Sequence, residues 1–145
     1  MCWWVKSSNT NRDMTIHLTI RGCARTKKNG SQIVTIQGRP RIIPSKHYRE
    51  YEKVFLPQVP ERHRLHLQLP HTVRCTYYMD THRRVDLVGL LQATDDLLVK
   101  AGVMQDDNSN IIASHDGSRV RYDKENPRVE IDIIPMAQGV GEQGE

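Results

Sequence analysis

Hydrophobic residues alternate with polar ones in several short stretches of the chain, which is the pattern of half-buried β-strands. In "MTIHLTI" (residues 14–20) every second residue, beginning with Met14, is apolar. The same period of two recurs in "VRCTYYM" (73–79) and in "RVEIDIIP" (128–135), and "NIIAS" (110–114) is a shorter stretch of the same kind. These stretches predict the strands of a sheet with one apolar face.

The spacing of apolar residues changes to that of a helix at two places. Ser45 precedes a series at Tyr48, Tyr51, Val54 and Phe55, which predicts a short helix with Ser45 as its N-cap and Pro57 as its end. From Asp86 onwards, one stripe predicts a longer amphipathic helix. Its members are Leu87, Leu90, Leu91, Thr94, Leu97, Leu98 and Ala101. Gly102 is the residue expected just past a helix end.

Glycine and proline divide the remaining segments. "IVTI" (33–36) and "RII" (41–43) flank "QGRP", which predicts a hairpin on a basic, exposed arm. The alternation of Leu65, Leu67 and Leu69 gives only a weak indication of a strand. Segment 115–127 contains turn signals at Asp116-Gly117 and Asn126-Pro127. The basic residues expected on the arm are Lys27, Lys28, Arg39 and Arg41.

Strands on both sides of a central amphipathic helix predict an α+β fold, with a small mixed β-sheet and a second short helix. A length of 145 residues suits a single domain, which we expect to span residues 14–135. Residues 1–13 are interpreted as an N-terminal extension, expected to be disordered, or as the product of a misplaced start codon. The Gly-rich, acidic residues 136–145 are interpreted as a flexible tail.

Composition narrows the possible partners. The net charge of +4 and the pI near 9.1 suit a polyanion such as nucleic acid. The three cysteines form no CxxC pair and are odd in number, so a reducing compartment, the cytoplasm, is expected. Because no apolar run approaches the ~18 residues that span a bilayer, we expect no membrane association.

Five aspartates surround the predicted long helix, directly after Arg83 and Arg84: Asp86, Asp95, Asp96, Asp106 and Asp107. At the N-terminal end Asp86 can cap free backbone N–H groups. Asp106 and Asp107 follow the C-terminal end, where the helix dipole repels them, so they require either full solvation or a cation. Mg²⁺ and Mn²⁺ prefer carboxylate and water oxygens.

A helix of roughly 16 residues is about 24 Å long. Asp86 therefore meets Asp107 at one ion only if the chain folds back after Gly102 or if a second, antiparallel copy supplies the other end, as in a twofold dimer.

Three segments resemble the RusA-type Holliday-junction resolvases, including their phage and prophage members: "RRVDL" (83–87), "DDLLVKAG" (95–102) and "VMQDD" (103–107). A looser similarity includes "RTKKNG" (25–30) and residues 113–131, so that the resemblance covers residues 14–134. It implies a small α+β homodimer that hydrolyses phosphodiester bonds symmetrically in branched DNA, during recombination, repair or phage replication. It also implies Mg²⁺, with Mn²⁺ as a substitute, and no small-molecule cofactor.

The resemblance matches Asp86 and Asp107 to catalytic, metal-binding aspartates, with Asp106 beside them as a further catalytic residue. The sequence departs from the family at Val88, Gly89 and Gln92, where the family has an aspartate, an asparagine and a lysine. Valine cannot bind Mg²⁺. Either another aspartate supplies the missing ligand, or the protein is a catalytically degenerate branched-DNA binding protein. The residues available as that ligand are Asp95, Asp96 and Asp116.

Basic and aromatic residues next to these aspartates are suited to DNA. We expect phosphate contacts from Lys27, Lys28, Arg83 and Arg84. Either Tyr77 or Tyr78 can stack on unpaired bases, and strand spacing places the other in the core.

Overall fold

The alternating stretches form a mixed β-sheet that packs against two helices. The computed structural model describes residues 14–27 and 32–136. The elements in chain order are β1 (Ile16–Arg21), β2 (Gln32–Ile36), β3 (Arg39–Ile43), α1 (Lys46–Gln58), a 3₁₀ turn (Glu61–His63), β4 (His71–Met79), α2 (Leu87–Lys100), β5 (Ile112–Ser114), β6 (Arg119–Tyr122) and β7 (Arg128–Pro135). The predicted α+β class, with two helices and a small mixed sheet, is confirmed.

The main sheet is built around β4. This strand pairs antiparallel with β7, which in turn pairs antiparallel with β1. On its other side β4 pairs parallel with both β5 and β6, β5 near its start and β6 near its end. The strands β2 and β3 form a separate antiparallel hairpin, as predicted. Neither described helix is long and apolar enough to cross a membrane.

The core lies between the helices and one face of this sheet. Buried and more exposed residues alternate along β1, β4 and β7, so each strand turns one set of side chains inward. Cross-strand register keeps these sets together, because Ile131 lies opposite both Leu18 and Cys75. Phe55 from α1 and Leu97 from α2 are fully buried against them. Burial of each such side chain contributes about 1.5–3 kcal/mol.

Helix α1 begins as predicted but ends later. The Ser45 hydroxyl accepts a hydrogen bond from the Tyr48 backbone N–H at 3.1 Å, which confirms the N-cap. The expectation that Pro57 ends the helix is wrong, because α1 includes Pro57 and continues to Gln58. In a last turn proline removes only one backbone donor. The Arg64 guanidinium there donates to the Leu56 carbonyl at 2.8 Å.

Helix α2 starts after Asp86, and the chain reverses direction just past the C-terminal end of the helix. Gly102 has a φ of +83°, the left-handed conformation that glycine adopts without strain. The N–H of Val103 donates to the Leu98 carbonyl at 3.0 Å. Met104 then bridges to Leu67, and the acidic segment that follows brings Asp107 near Asp96 of the helix.

Three stretches differ from the sequence-based expectations. Strand β6 was not predicted, because all four of its residues are exposed at a sheet edge and show no burial period. The alternation at Leu65–Leu69 produces a single bridge at Leu67 and no strand. Strand β1 begins at Ile16, two residues after Met14. The proposed extension at 1–13 and the tail from 137 lie outside the described residues.

Candidate functional site

The adjacent residues Asp95 and Asp96 leave α2 in different directions. Successive helical residues are rotated by about 100°. Asp95 is buried, with 7% of its surface exposed, and its Oδ2 lies 2.9 Å from Nε2 of His115. Asp96 is half-buried and accepts a hydrogen bond from Lys27 Nζ at 2.5 Å. Only Asp96 therefore faces the surface where the chain folds back.

Asp107 meets Asp96 at that surface. Partial burial, and next the charge of Asp96, raise the pKa of Asp107. Asp106 is engaged in its own turn, since it accepts hydrogen bonds from the Asp107 N–H at 2.8 Å and from Asn108 Nδ2 at 3.0 Å. These hydrogen bonds lower the pKa of Asp106. The carboxylates of Asp96 and Asp107 are here called the acidic pair.

Asp86 lies at the opposite end of α2 from the acidic pair. Ten helical positions separate it from Asp96, about 15 Å along the axis. Its side chain makes no capping hydrogen bond, so the capping role available to it is not used. A Cβ on Gly89 would lie only 3.1 Å from Asp86 Oδ2 and 3.2 Å from Thr26 Cγ2. Glycine therefore keeps open a small space beside Asp86.

Asp116 lies apart from these carboxylates. It occupies the exposed turn after β5, where its N–H donates to the Ser114 hydroxyl at 3.0 Å. Among the described residues, no group of three or more His, Cys, Asp or Glu side chains is arranged to hold a metal. The sequence-predicted aspartates are thus divided among four places: Asp86, the acidic pair with Asp106, Asp95 with His115, and Asp116.

The acidic pair offers two carboxylates, and the Lys27 ammonium already contacts one of them. Mg²⁺ is commonly held by one or two carboxylates, with water completing an octahedral shell. Tyr48 adds a second observation, because its hydroxyl is buried and has no hydrogen-bond partner. Burial, with the charges of Glu52 and Asp96, raises the pKa of this phenol. Lys27 lies 5.9 Å from the centre of the Tyr48 ring. The Lys27 ammonium and the Tyr48 phenol thus both lie near the acidic pair.

Arg83 and Arg84 lie in the loop before α2. With Arg25 they line a hollow of about 290 Å³, here called the loop hollow. Thr26, which flanks the space beside Asp86, lines it as well. Lys28 lies outside the described residues, and Lys27 is bonded to Asp96 rather than directed into this hollow.

The two tyrosines of β4 face opposite sides of the sheet. Tyr77 is fully buried, and its hydroxyl lies 2.7 Å from Thr94 Oγ1. Tyr78 is half-buried on the other side, where the Arg128 guanidinium stacks 3.8 Å from its ring centre. The prediction that one of the two lies in the core is confirmed.

Sequence reasoning did not single out His115 or Tyr48 as neighbours of the aspartates. Burial raises the pKa of Asp95, and the bond from Asp95 raises the pKa of His115. Tyr48 belongs to the aromatic stripe of α1, and this spacing predicts a core residue. Both contacts join residues at least 20 positions apart, so no local spacing reveals them. No protein-family model matches the sequence, and no curated protein matches it significantly.

Proposed function

We propose that this protein is a metal-dependent endodeoxyribonuclease of the RusA type. It acts as a homodimer and hydrolyses phosphodiester bonds at four-way DNA junctions. The observation that carries the proposal is the acidic pair, two carboxylates close together on a basic protein, with the arginine-lined loop hollow next to the N-terminal end of α2.

Asp96 and Asp107 would hold Mg²⁺, or Mn²⁺ in its place. An ion held there would supply Lewis-acid chemistry, lowering the pKa of a bound water and neutralising charge on the phosphate oxygens. Like charges about 4 Å apart repel by on the order of 4 kcal/mol at the effective dielectric near a protein surface. Lys27 relieves part of this repulsion through Asp96. Asp106 keeps the Asp107 segment in place through its bond to the Asp107 N–H.

Asp86 has a role in this proposal through the dimer. In one chain it lies too far along α2 to share an ion with Asp96. A second copy with its α2 antiparallel would bring its own Asp86 to the acidic pair of the first, and twofold symmetry would create two equivalent sites. Arg83 and Arg84 would then hold the DNA backbone next to the cleaved bond.

The test is cleavage of an end-labelled four-way junction beside linear duplex of the same sequence, with Mg²⁺, Mn²⁺ or EDTA. We expect paired symmetric nicks that require metal and that fall about 100-fold or more in Asp107→Asn. Glu50→Gln removes an exposed acid from α1 and is the matched control, with unchanged cleavage. Metal-independent nicks, or full activity in Asp107→Asn, would contradict the proposal.

A rival function is a catalytically degenerate protein that binds branched DNA without cutting it. Two observations favour it: the Lys27 ammonium contacts Asp96 where a metal would bind, and Val88, which is 71% exposed, replaces a family ligand. Tight junction binding without nicks is its expected signature. Restored cleavage in Val88→Asp would then identify the missing carboxylate as the defect.

Lys27→Ala distinguishes the two functions further. If Lys27 competes with the metal, the variant reaches half-maximal cleavage at a lower Mg²⁺ concentration. If Lys27 instead holds a phosphate, the maximal rate falls and the Mg²⁺ dependence is unchanged. A Lys27→Ala variant that binds the junction and still does not cleave favours the degenerate protein.

A further inference from the structure

The main sheet has a second face that no described helix covers. The inward residues of β1, β4 and β7 join the side chains of α1 and α2 in one core cluster. The residues that alternate with them are exposed or half-buried. This open face is therefore a broad surface on the side of the sheet away from α2.

Three arginines surround a hollow on the open face. Arg74 comes from β4, and Arg119 and Arg121 come from β6. The hollow has a volume of about 570 Å³, and its lining includes Thr76 and Tyr78 but no Asp or Glu side chain. We call it the arginine hollow.

Strand register explains why these cations lie together. Arg119 lies opposite Thr76 and Arg121 lies opposite Tyr78 in the parallel β4 and β6 pair. Paired residues point to the same face, and positions two apart along a strand do so as well. The Cα atoms of Arg119 and Arg121 are therefore about 7 Å apart.

Arg119 and Arg121 form no ion pair with a carboxylate in the part of the chain that the structure describes. Arg74 lies 4.0 Å from Asp132, whose other oxygen is already bonded to His17 at 2.6 Å. Arg74 thus has a carboxylate partner, and Arg119 and Arg121 are the two cations of the hollow that lack one among the described residues.

The neighbouring Arg128 provides a contrast within the same face. Its guanidinium lies 2.9 Å from both Asp123 and Glu130, and these bonds raise its pKa. Arg128 is therefore neutralised and stacks on Tyr78, whereas Arg119 and Arg121 remain available for an anion.

Adjoining hollows connect this surface with the N-terminal end of α2. Tyr122 lines both the arginine hollow and a neighbouring one that contains His82 and Arg83. Arg83 also lines the loop hollow, whose Thr26 flanks the space beside Asp86. Adjoining hollows, lined by Arg83 and Lys124 and also by Asp80, therefore connect the loop hollow near the start of α2 with the arginine hollow.

We propose that the arginine hollow binds the phosphodiester backbone of DNA, on the opposite face of the sheet from the acidic pair. The choice of DNA as the polyanion rests on the proposed function. Guanidinium groups bind phosphate oxygens in a bidentate manner, and an anion relieves the repulsion among three arginines. The 7 Å spacing corresponds to about two nucleotides of rise along one strand. The path of hollows directs a DNA arm from α2 onto this face.

The test is Arg119→Ala/Arg121→Ala in the full chain. Its affinity for a fluorescent four-way junction is measured by anisotropy in EDTA over a range of salt concentrations. We expect a Kd about tenfold higher than wild type at 0.1 M salt, and a slope of log K against log salt that is shallower by about two, because two phosphate contacts are lost. Both residues are exposed, so the thermal unfolding midpoint is expected to stay unchanged.

Lys53→Ala/Arg62→Ala is the matched control, since it removes two exposed positive charges from the helix side of the sheet. Equal weakening in both double variants would overturn the proposal, because only the net charge would then matter. An unchanged Kd and slope in Arg119→Ala/Arg121→Ala would overturn it as well. If millimolar inorganic phosphate by itself displaced the fluorescent junction, this result would contradict a backbone site and indicate a small-anion site.

Failure of this proposal is distinguishable from failure of the proposed nuclease. Wild-type protein that binds junctions through Arg119 and Arg121 without nicking them contradicts the nuclease and supports the arginine hollow. Normal metal-dependent cleavage with unchanged binding in Arg119→Ala/Arg121→Ala contradicts the arginine hollow alone. Wild-type protein without junction affinity contradicts both.

Discussion

Asp95 and Asp96 are consecutive in the sequence but lie in different regions of the molecule. Asp95 is buried and bonded to His115, which ties α2 to the segment after β5. Asp96 faces outward, where it is bonded to Lys27 and lies near Asp107. One helical step thus separates a buried carboxylate with a histidine partner from a carboxylate that lies at the surface beside Lys27 and Asp107.

The contrast shows that a carboxylate's surroundings, rather than its place in a motif, determine its role. A buried carboxylate needs a partner, because loss of its hydrogen bonds in a dry site costs about 1–3 kcal/mol. Carboxylates that reach the surface, such as the half-buried Asp96 and the exposed Asp107, are stabilised by solvation and attract cations. The variants below are designed to separate these two roles, in order of decreasing effect.

The largest expected effect is on cleavage in Asp96→Asn. Loss of one carboxylate of the acidic pair is expected to reduce metal-dependent junction cleavage about 100-fold or more. The free energy of unfolding is expected to change by less than about 0.5 kcal/mol, because Asp96 is not in the core. Cleavage rates and urea unfolding curves check both parts. Cleavage at the wild-type rate would show that Asp96 is not part of the proposed metal site.

Asp95→Asn is expected to reduce stability and to leave cleavage unchanged, which is the opposite of the result expected for Asp96→Asn. The amide cannot form the charged hydrogen bond with His115, so the protein is destabilised by about 1–3 kcal/mol. Cleavage per folded molecule is expected to remain near wild type. The comparison uses the same two assays at a temperature where the variant is folded. If Asp96→Asn were destabilised as much as Asp95→Asn, the two carboxylates would not differ in their contribution to stability.

The pH dependence of stability is expected to report the His115 and Asp95 bond. The pKa of His115 is raised in the folded chain, mainly by its bond with Asp95. Its stabilisation is therefore fully present below the unfolded pKa of about 6.5 and is lost as pH rises through the higher folded value. The difference in unfolding free energy between wild type and His115→Gln should shrink across that range. A constant difference from pH 5.5 to 8.5 would refute this assignment.

The smallest effect is expected from two buried tyrosines. The hydroxyls of Tyr48 and Tyr51 are both buried without a partner, so replacement of either by phenylalanine should be neutral or stabilising by up to about 1 kcal/mol. Only the Tyr48 phenol is influenced by Asp96. A several-fold loss of cleavage in Tyr48→Phe but not in Tyr51→Phe would link that hydroxyl to the acidic pair. Equal effects in both variants would assign Tyr48 to the core alone.

Much of the fold was predictable because it follows local periodicity. The period of two located β1, β4 and β7, and the stripe after Asp86 located α2, since burial of one face imposes these repeats. The turn at Gly102 was predictable because a left-handed backbone favours glycine. Strand β6 was not predictable in the same way, since an exposed edge strand leaves no burial pattern.

The sequence by itself determined that acidic residues flank α2, that the protein is basic and that its strands and helices form an α+β fold. Only the tertiary structure decided which carboxylates meet. The reversal after Gly102 and the bridge between Leu67 and Met104 carry Asp107 back to Asp96 instead of to Asp86. The physical reason is that contacts between distant residues depend on how the chain folds back. The pairing of Asp95 with His115 and the gathering of arginines on the open sheet face are decided in the same way.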